Sequence, residues 1–136
     1  MATKAEITAF IAAEFPQTKC VVREVGGRGA TVAHAIGPDE LRPGGTVAGP
    51  VLMGLADVAL YIAILGEIGI VPLTVTTSLT INFLRKPPAD RAIVAVCKLM
   101  KLGKLLAVGE VWLYSEGGPD AVAHVVGTYA IPRRRE

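Results

Sequence analysis

The feature that most constrains the fold is a long apolar stretch between Thr46 and Gly69, which reads TVAGPVLMGLADVALYIAILGEIG. The run is long enough to cross a membrane. Asp57 in its middle would then lie near the centre of the bilayer, where a carboxylate is costly. Glycines and a proline also interrupt the run, and the strand-like segments that follow need a core to pack against. We therefore predict the central helix of a globular domain rather than a membrane span.

Both ends of this helix are marked in the sequence. Gly49 and Pro50 predict its start, because proline is well tolerated at the first helical position. Gly66 and Gly69, followed by Pro72, predict its end. Since nearly every side chain between these points is apolar, we expect the helix to be buried almost all round.

Alternating and β-branched segments predict an antiparallel sheet around this helix. A capping-box spacing from Thr3 to Glu6 predicts a short amphipathic helix that ends near Phe15. Two strands follow it, and four more strands joined by short turns follow the long helix. The predicted strands read CVVREV, ATVAHAI, LTVTTSLTINFLR, RAIVAVCKLM, LLAVGEVWLYSE and AVAHVVGTYAI. This order predicts an α+β fold, in which about six antiparallel strands wrap around one long central helix.

Length and composition bear on the number of domains and on the partners. A chain of 136 residues is expected to form a single domain over residues 1–136. Hydrophobic residues make up 51% and charged residues only 19%, so we expect another subunit to cover part of the surface. The net charge of +2 is too small to indicate a nucleic-acid partner, and the C-terminal PRRRE is predicted to be a solvated tail.

The cysteines and the N-terminal segment bear on the cellular compartment. Cys20 and Cys97 are the only cysteines, and this pattern favours reduced thiols over a disulfide framework. Glu6 precedes any apolar run, so the N-terminus does not read as a secretory signal. We expect a cytoplasmic protein.

Motifs of several enzyme classes are absent from the sequence. It contains no nucleophile elbow, no phosphate-binding loop and no dinucleotide fingerprint after a strand. The histidines, His34 and His124, lack metal-ligand spacing with cysteines or acids, and we expect both to pack locally on strands. We therefore predict neither a metal nor a cofactor.

Asp57 is the candidate for catalysis that remains. Gly54 and Tyr61, three residues before it and four after, share its helix face, and the glycine leaves space beside the carboxylate. The helix start also presents the free backbone N–H of Gly49, which can hold a developing oxyanion. The residues alone leave two interpretations open: a catalytic carboxylate, or a structural acid that is bonded to the backbone or to Tyr61 or that emerges at the helix surface.

Two segments, GTVAGPVLMGLADVALY and VTTSLTINFLRKP, resemble the hot-dog-fold acyl-CoA thioesterases of the PaaI-like group, and the similarity extends over most of the chain. In that family a His-Gly-Gly motif begins the helix, and an acid lies nine residues after the histidine. Here the motif aligns with Ala48-Gly49-Pro50 and the acid is Asp57. The resemblance implies that the Gly49 N–H binds the oxyanion and that Asp57 is the nucleophile or the general base.

The resemblance also points to residues outside the helix. Many members have a serine or threonine on the next strand, contributed from the neighbouring subunit, and Thr76 occupies this position. The family's asparagine fifteen residues before the acid is replaced by Arg42, which can pair with Asp57 or contact an anionic group of the substrate. We expect Thr76 to orient water or Asp57 across a dimer interface.

The function that the resemblance implies is hydrolysis of an acyl-CoA thioester to a free acid and coenzyme A. One carboxylate suffices for this reaction, because the leaving thiol has a pKa of ~8.5 and needs no strong general acid. The remaining candidate substrate contacts are Gly54, Tyr61, Arg85 and Lys86. The two cations among them suit the phosphates of coenzyme A. The alternative is a non-catalytic acyl-CoA-binding module, because Ala48 replaces the family's histidine and Arg42 its asparagine, while Pro50 also replaces the second glycine.

Overall fold

The computed structural model describes residues 1–133, and residues 134–136, the end of the predicted basic tail, lie outside this range. The helices are α1 (Lys4–Glu14) and α2 (Gly49–Ile68). The strands are β1 (Cys20–Gly26), β2 (Gly29–His34), β3 (Leu41–Arg42), β4 (Thr46–Val47), β5 (Val75–Phe83), β6 (Ile93–Leu102), β7 (Leu106–Ser115) and β8 (Ala123–Ala130). The Gly- and Pro-rich connection before α2 contains a short 3₁₀ turn at Pro38–Glu40 and the β3–β4 pair.

Six long strands form one antiparallel sheet in the order β1-β2-β6-β7-β8-β5, and α2 packs against one face of it. This arrangement confirms the predicted α+β hot-dog fold with a central helix. The capping box of α1 is also present, since the Thr3 hydroxyl accepts from the Glu6 N–H and the Glu6 carboxylate accepts from the Thr3 N–H.

A pair of facing glycines fixes the position of α2 on the sheet. Gly109 of β7 and Gly127 of β8 lie directly opposite each other. A Cβ atom at either position would come within 2.7 Å of the Leu60 side chain or closer, so the leucine fills the space that the two glycines leave. Leu60 is fully buried there. Because Asp57 lies three residues before Leu60, the same contact holds Asp57 near the start of β5 and the end of β8.

The prediction that α2 is buried all round is wrong for the single chain. Its inner side is buried against the sheet, but Pro50, Met53 and Gly54 are exposed on the outer side, with Met53 37% exposed. α2 is also long and apolar enough to cross a membrane, but the buried core helix of a globular domain can have the same length and composition. The exposed outer side is therefore an apolar surface that a single copy of the domain leaves open.

The edge of the sheet at β5 is open as well. In the described part of the chain β5 pairs only with β8. Large apolar side chains at its ends are about half exposed: Val75, Phe83 and Leu84. An unpaired strand edge with exposed apolar side chains is a surface suited to pairing with another chain.

Candidate active site

Asp57 lies beside two hydroxyl groups that donate to one of its carboxylate oxygens. The Thr76 Oγ1 is 2.6 Å from Asp57 Oδ1, and the Tyr129 Oη is 2.5 Å from the same atom. The tyrosine hydroxyl is also 2.7 Å from the backbone carbonyl of Asp57. Within residues 1–133, the second oxygen, Oδ2, has no hydrogen-bond partner. The carboxylate is thus held through one oxygen, and the other remains available to a substrate or a water molecule.

Tyr129 is a site residue that the sequence interpretation missed. It is 3% exposed, and burial, followed by its hydrogen bond to Asp57, raises the pKa of its phenol well above the ordinary value. The hydroxyl therefore stays protonated and remains a donor to the carboxylate. The alternation along β8 places Tyr129 on the inward face, with Val125 and Gly127. Because a buried tyrosine hydroxyl requires a hydrogen-bond partner, this pattern could have indicated Tyr129 as a site residue.

Thr76 reaches Asp57 because β5 contains a bulge. Strict alternation along this strand places Thr76 on the face opposite Leu79, and that expectation is wrong. The pairing with β8 shifts between Thr76 and Ser78, so the one extra residue turns Thr76 to the inner face. The contact forms with Asp57 of the same chain, whereas the resemblance placed this threonine across a subunit interface.

A groove of about 570 Å³ opens beside Asp57. Aromatic side chains of α1 and α2 line it, including Phe10, Phe15 and Tyr61. The Tyr61 hydroxyl donates to the Pro72 carbonyl at 3.0 Å, so the structural interpretation in which it holds Asp57 is wrong. Burial raises the pKa of Tyr61 and keeps that hydroxyl protonated. The groove can therefore take an apolar group next to the free oxygen of Asp57.

Gly54 leaves space on the helix surface, as predicted. A Cβ atom at this position would have no neighbour within 4 Å. Gly54 and Asp57 together border a further groove, which continues toward the start of β1. The carboxylate is therefore accessible from two sides of α2.

The start of α2 borders a separate groove of about 420 Å³. Its cationic side chains are those of Arg42, Arg85 and Lys86, which the structure brings together around Gly49. Arg85 also donates to the Ala121 carbonyl at 2.7 Å. The suggested pair between Arg42 and Asp57 does not form within the chain, because Arg42 lies in this groove and Asp57 does not.

The predicted oxyanion donor and the predicted acid are far apart in one chain. Gly49 and Asp57 are eight residues apart on α2, which corresponds to ~12 Å along the helix axis at 1.5 Å per residue. One thioester carbonyl cannot contact both groups over that distance. A single chain therefore carries two partial sites, one around Asp57 and one around Gly49.

The cysteines, histidines and acids outside this site bear on metal binding and on disulfides. Over residues 1–133, histidine, cysteine and carboxylate side chains form no group of three that could hold a metal ion. Cys20 and Cys97 are both free thiols. His124 pairs with Glu110 at 3.0 Å and lies against the Trp112 ring, which agrees with the local packing predicted for it.

Comparison with known proteins places this chain in a family. The sequence matches the thioesterase superfamily over residues 44–122. A proposed thioesterase from Silicibacter sp. TM1040 is 37% identical, with 96% of this chain and 92% of that chain covered and a TM-score of 0.89. A mutant of the phenylacetic acid degradation protein PaaI from Thermus thermophilus is 26% identical, with 91% and 99% covered and a TM-score of 0.75. Among curated proteins, no sequence matches this chain.

A more distant structure shares the fold. It is a hypothetical thioesterase protein with coenzyme A from Streptococcus pneumoniae TIGR4, 17% identical, with 96% of this chain and 99% of that chain covered and a TM-score of 0.79.

Proposed function

The chain belongs to the thioesterase superfamily and is a thioester hydrolase of the PaaI-like type, and we propose that it uses Asp57 to hydrolyse an acyl-CoA thioester to a free acid and coenzyme A. One observation carries the proposal. Thr76 and Tyr129 both donate to Oδ1 of Asp57, Oδ2 has no hydrogen-bond partner within residues 1–133, and Asp57 borders a groove lined by aromatic side chains. A fully buried structural acid would have both oxygens satisfied by the protein, whereas Asp57 is only partly buried and keeps one oxygen for the reaction.

Asp57 acts as a general base on water in this proposal. A water molecule bound to Oδ2 would lose its proton to the carboxylate while its oxygen attacks the thioester carbonyl. The two hydroxyl donors fix the carboxylate, so that Oδ2 meets the water in one orientation. The thiolate leaves without a strong general acid, because a thiol has a pKa of ~8.5.

The oxyanion donor in the proposal comes from a second copy of the chain. Gly49 is the first residue of α2, so its N–H has no carbonyl four residues back in the helix and lies at the positive end of the helix dipole. Its separation from Asp57 prevents the two from acting on one carbonyl within a chain. The exposed outer side of α2 and the open edge of β5 support a homodimer, or a homotetramer built from it, with each site between two copies.

The groove at the start of α2 is the proposed site of coenzyme A. Arg42, Arg85 and Lys86 supply cations for its phosphates beside Gly49. The structure from Streptococcus pneumoniae, which contains coenzyme A, has the same fold and supports this assignment at the level of the fold. The cytoplasmic location stays a prediction.

Release of free thiol from a panel of acyl-CoAs tests the proposal. We expect the purified protein to turn over at least one of acetyl-, octanoyl-, palmitoyl- and benzoyl-CoA, at a rate that a thiol-reactive dye records. Equilibrium binding of each compound is measured alongside. Binding without turnover across the panel would contradict the proposal and favour the non-catalytic acyl-CoA-binding module.

A further inference from the structure

A second group of reactive side chains lies outside the site of the proposed hydrolysis. Cys20 on β1 and His34 on β2 are direct partners in the sheet. The Cys20 Sγ lies 3.8 Å from His34 Nδ1, and His34 Nε2 lies 3.4 Å from Glu40 Oε2. Thiol, imidazole and carboxylate thus follow one another in the order of a nucleophile, its base and the group that orients the base.

Glu40 is held firmly in its ionised form. It is 5% exposed, and its carboxylate accepts from the Lys19 Nζ at 2.9 Å and from the Gly37 N–H at 2.8 Å. The Lys19 contact, followed by the Gly37 contact, lowers the pKa of Glu40 to about 2. Lys19 also pairs with Asp39 at 3.3 Å. A carboxylate fixed in this way accepts from Nε2–H of His34, so that the Nδ1 lone pair faces the Cys20 thiol.

Cys20 needs that base. The side chain is partly buried, and burial raises the pKa of the thiol above its ordinary value. The thiol is therefore protonated at neutral pH, and its sulfur becomes a nucleophile only when a neighbouring base removes the proton. The Nδ1 atom of His34 lies where it can do so.

The cluster borders the groove that also reaches Asp57. This groove, of about 560 Å³, runs between the start of β1 and the outer side of α2. Cys20, His34 and Glu40 line one part of it, and Gly54 and Asp57 line another. The side chains of Phe15, Val51, Leu55 and Val58 make its walls apolar. An acyl thioester that enters this groove therefore meets the Cys20 thiol, the nucleophile of the cluster.

We propose that Cys20 accepts the acyl group of a thioester substrate by thiol exchange, with His34 as the base and Glu40 as the residue that positions the imidazole. The Cys20 Sγ forms a bond to the acyl carbon, and the carbon–sulfur bond of the incoming thioester breaks. The proton of the Cys20 thiol passes to His34 Nδ1 and then to the leaving thiolate. The products are S-acyl-Cys20 and a free thiol, and no oxidant or reductant is required.

The proposal rests on the acyl-CoA substrate of the proposed function, but not on catalysis by Asp57. The Asp57→Ala variant is therefore the protein in which to seek the adduct, because hydrolysis does not deplete it. Intact-mass spectrometry after incubation with each of the four acyl-CoAs should show one added acyl group per chain, removable by hydroxylamine. Peptide mapping should place the group on Cys20.

Cys97 is a matched control within the same chain. It is 3% exposed, and burial raises the pKa of its thiol to about 12, so it should remain unmodified. In the Asp57→Ala background, His34→Gln should slow acylation of Cys20 about 100-fold, the usual contribution of a general base. Alkylation of Cys20 by iodoacetamide should slow in the same variant, which gives a second measurement that does not depend on the acyl group.

The role of Glu40 has its own measurement. Glu40→Gln should slow acylation of Cys20, and Glu40→Asp should recover part of the rate, while the thermal unfolding midpoint reports any damage to the loop.

Equal acylation of Cys20 with and without His34, labelling of Cys97 at the rate of Cys20, or no adduct with any acyl-CoA would overturn the proposal. Steady-state thiol release by the wild-type protein is scored separately, so hydrolysis and acyl transfer can fail independently.

Discussion

Replacing Asp57 by alanine is expected to lower kcat for thioester hydrolysis about 1,000-fold, within the range that a general base contributes. The loss corresponds to about 4 kcal/mol of activation free energy. It follows from the removal of Oδ2, the carboxylate oxygen that has no hydrogen-bond partner among the described residues. Steady-state thiol release with the best acyl-CoA of the panel measures the change.

Glu67→Ala is the matched control, because Glu67 is an acid on the same helix and lies at the far end from Gly49. It borders a different groove, so kcat should stay close to that of the wild-type protein. Binding of the acyl-CoA by Asp57→Ala, with a KM or Kd near the wild-type value, would place the loss in the chemical step. Retention of more than a tenth of the wild-type kcat by Asp57→Ala would mean that another group activates the nucleophile.

Replacing Gly49 by proline is expected to cost ~3–4 kcal/mol of transition-state stabilisation, because proline removes the N–H that holds the oxyanion. The backbone suits proline at this position. Gly49 is the first helical residue, and Ala48 before it has φ −67° and ψ 140°, the extended conformation that a following proline favours. The variant should therefore fold, and thiol release should show kcat reduced by two to three orders of magnitude.

Gly49→Ala separates the loss of the N–H from the added side chain. Both variants introduce a Cβ atom, which would lie 3.1 Å from the Phe83 ring, and that ring is 54% exposed and can move aside. Alanine keeps the N–H, so its kcat should exceed that of the proline variant at least tenfold. Equal kcat values for the two variants would assign the effect to crowding of Phe83 and remove Gly49 from the oxyanion site.

The fold could be predicted from the sequence because its strongest signals are local. Proline and glycine mark both ends of α2, and β-branched alternation marks six strands. The exposure of the outer side of α2 could not be predicted in the same way. Apolar composition indicates that a helix will be covered, but it does not distinguish cover by its own sheet from cover by another copy.

The position of Asp57 could be predicted, and the resemblance pointed to Thr76 as its neighbour, but the other contacts of Asp57 could not be predicted. Tyr61 is a helical neighbour in sequence, yet its hydroxyl donates to Pro72. Asp57 is held by two donors, Thr76 and Tyr129, which lie on strands that pair with each other. A bulge brings Thr76 to the inner face. Neither the register of two strands far apart in the chain nor a one-residue bulge leaves a periodic trace in the sequence.

The cluster of Cys20, His34 and Glu40 was missed for a related reason. His34 was expected to pack locally on its strand, and it does lie on β2. The sequence does not show that Cys20 on β1 lies directly opposite His34. It also does not show that the 3₁₀ turn brings the Glu40 carboxylate to the His34 imidazole. Each residue alone carries no motif, and only the tertiary contacts bring the three together.

The most direct test of the central claim is the activity of a mixed dimer that contains one Asp57→Ala chain and one Gly49→Pro chain. The two chains carry different affinity tags, are produced together and are purified through both tags in turn. If each site combines Gly49 of one copy with Asp57 of the other, one of the two sites is intact, and the mixed dimer should show about half of the wild-type kcat. Activity no higher than that of either parent variant would contradict a site shared between two copies.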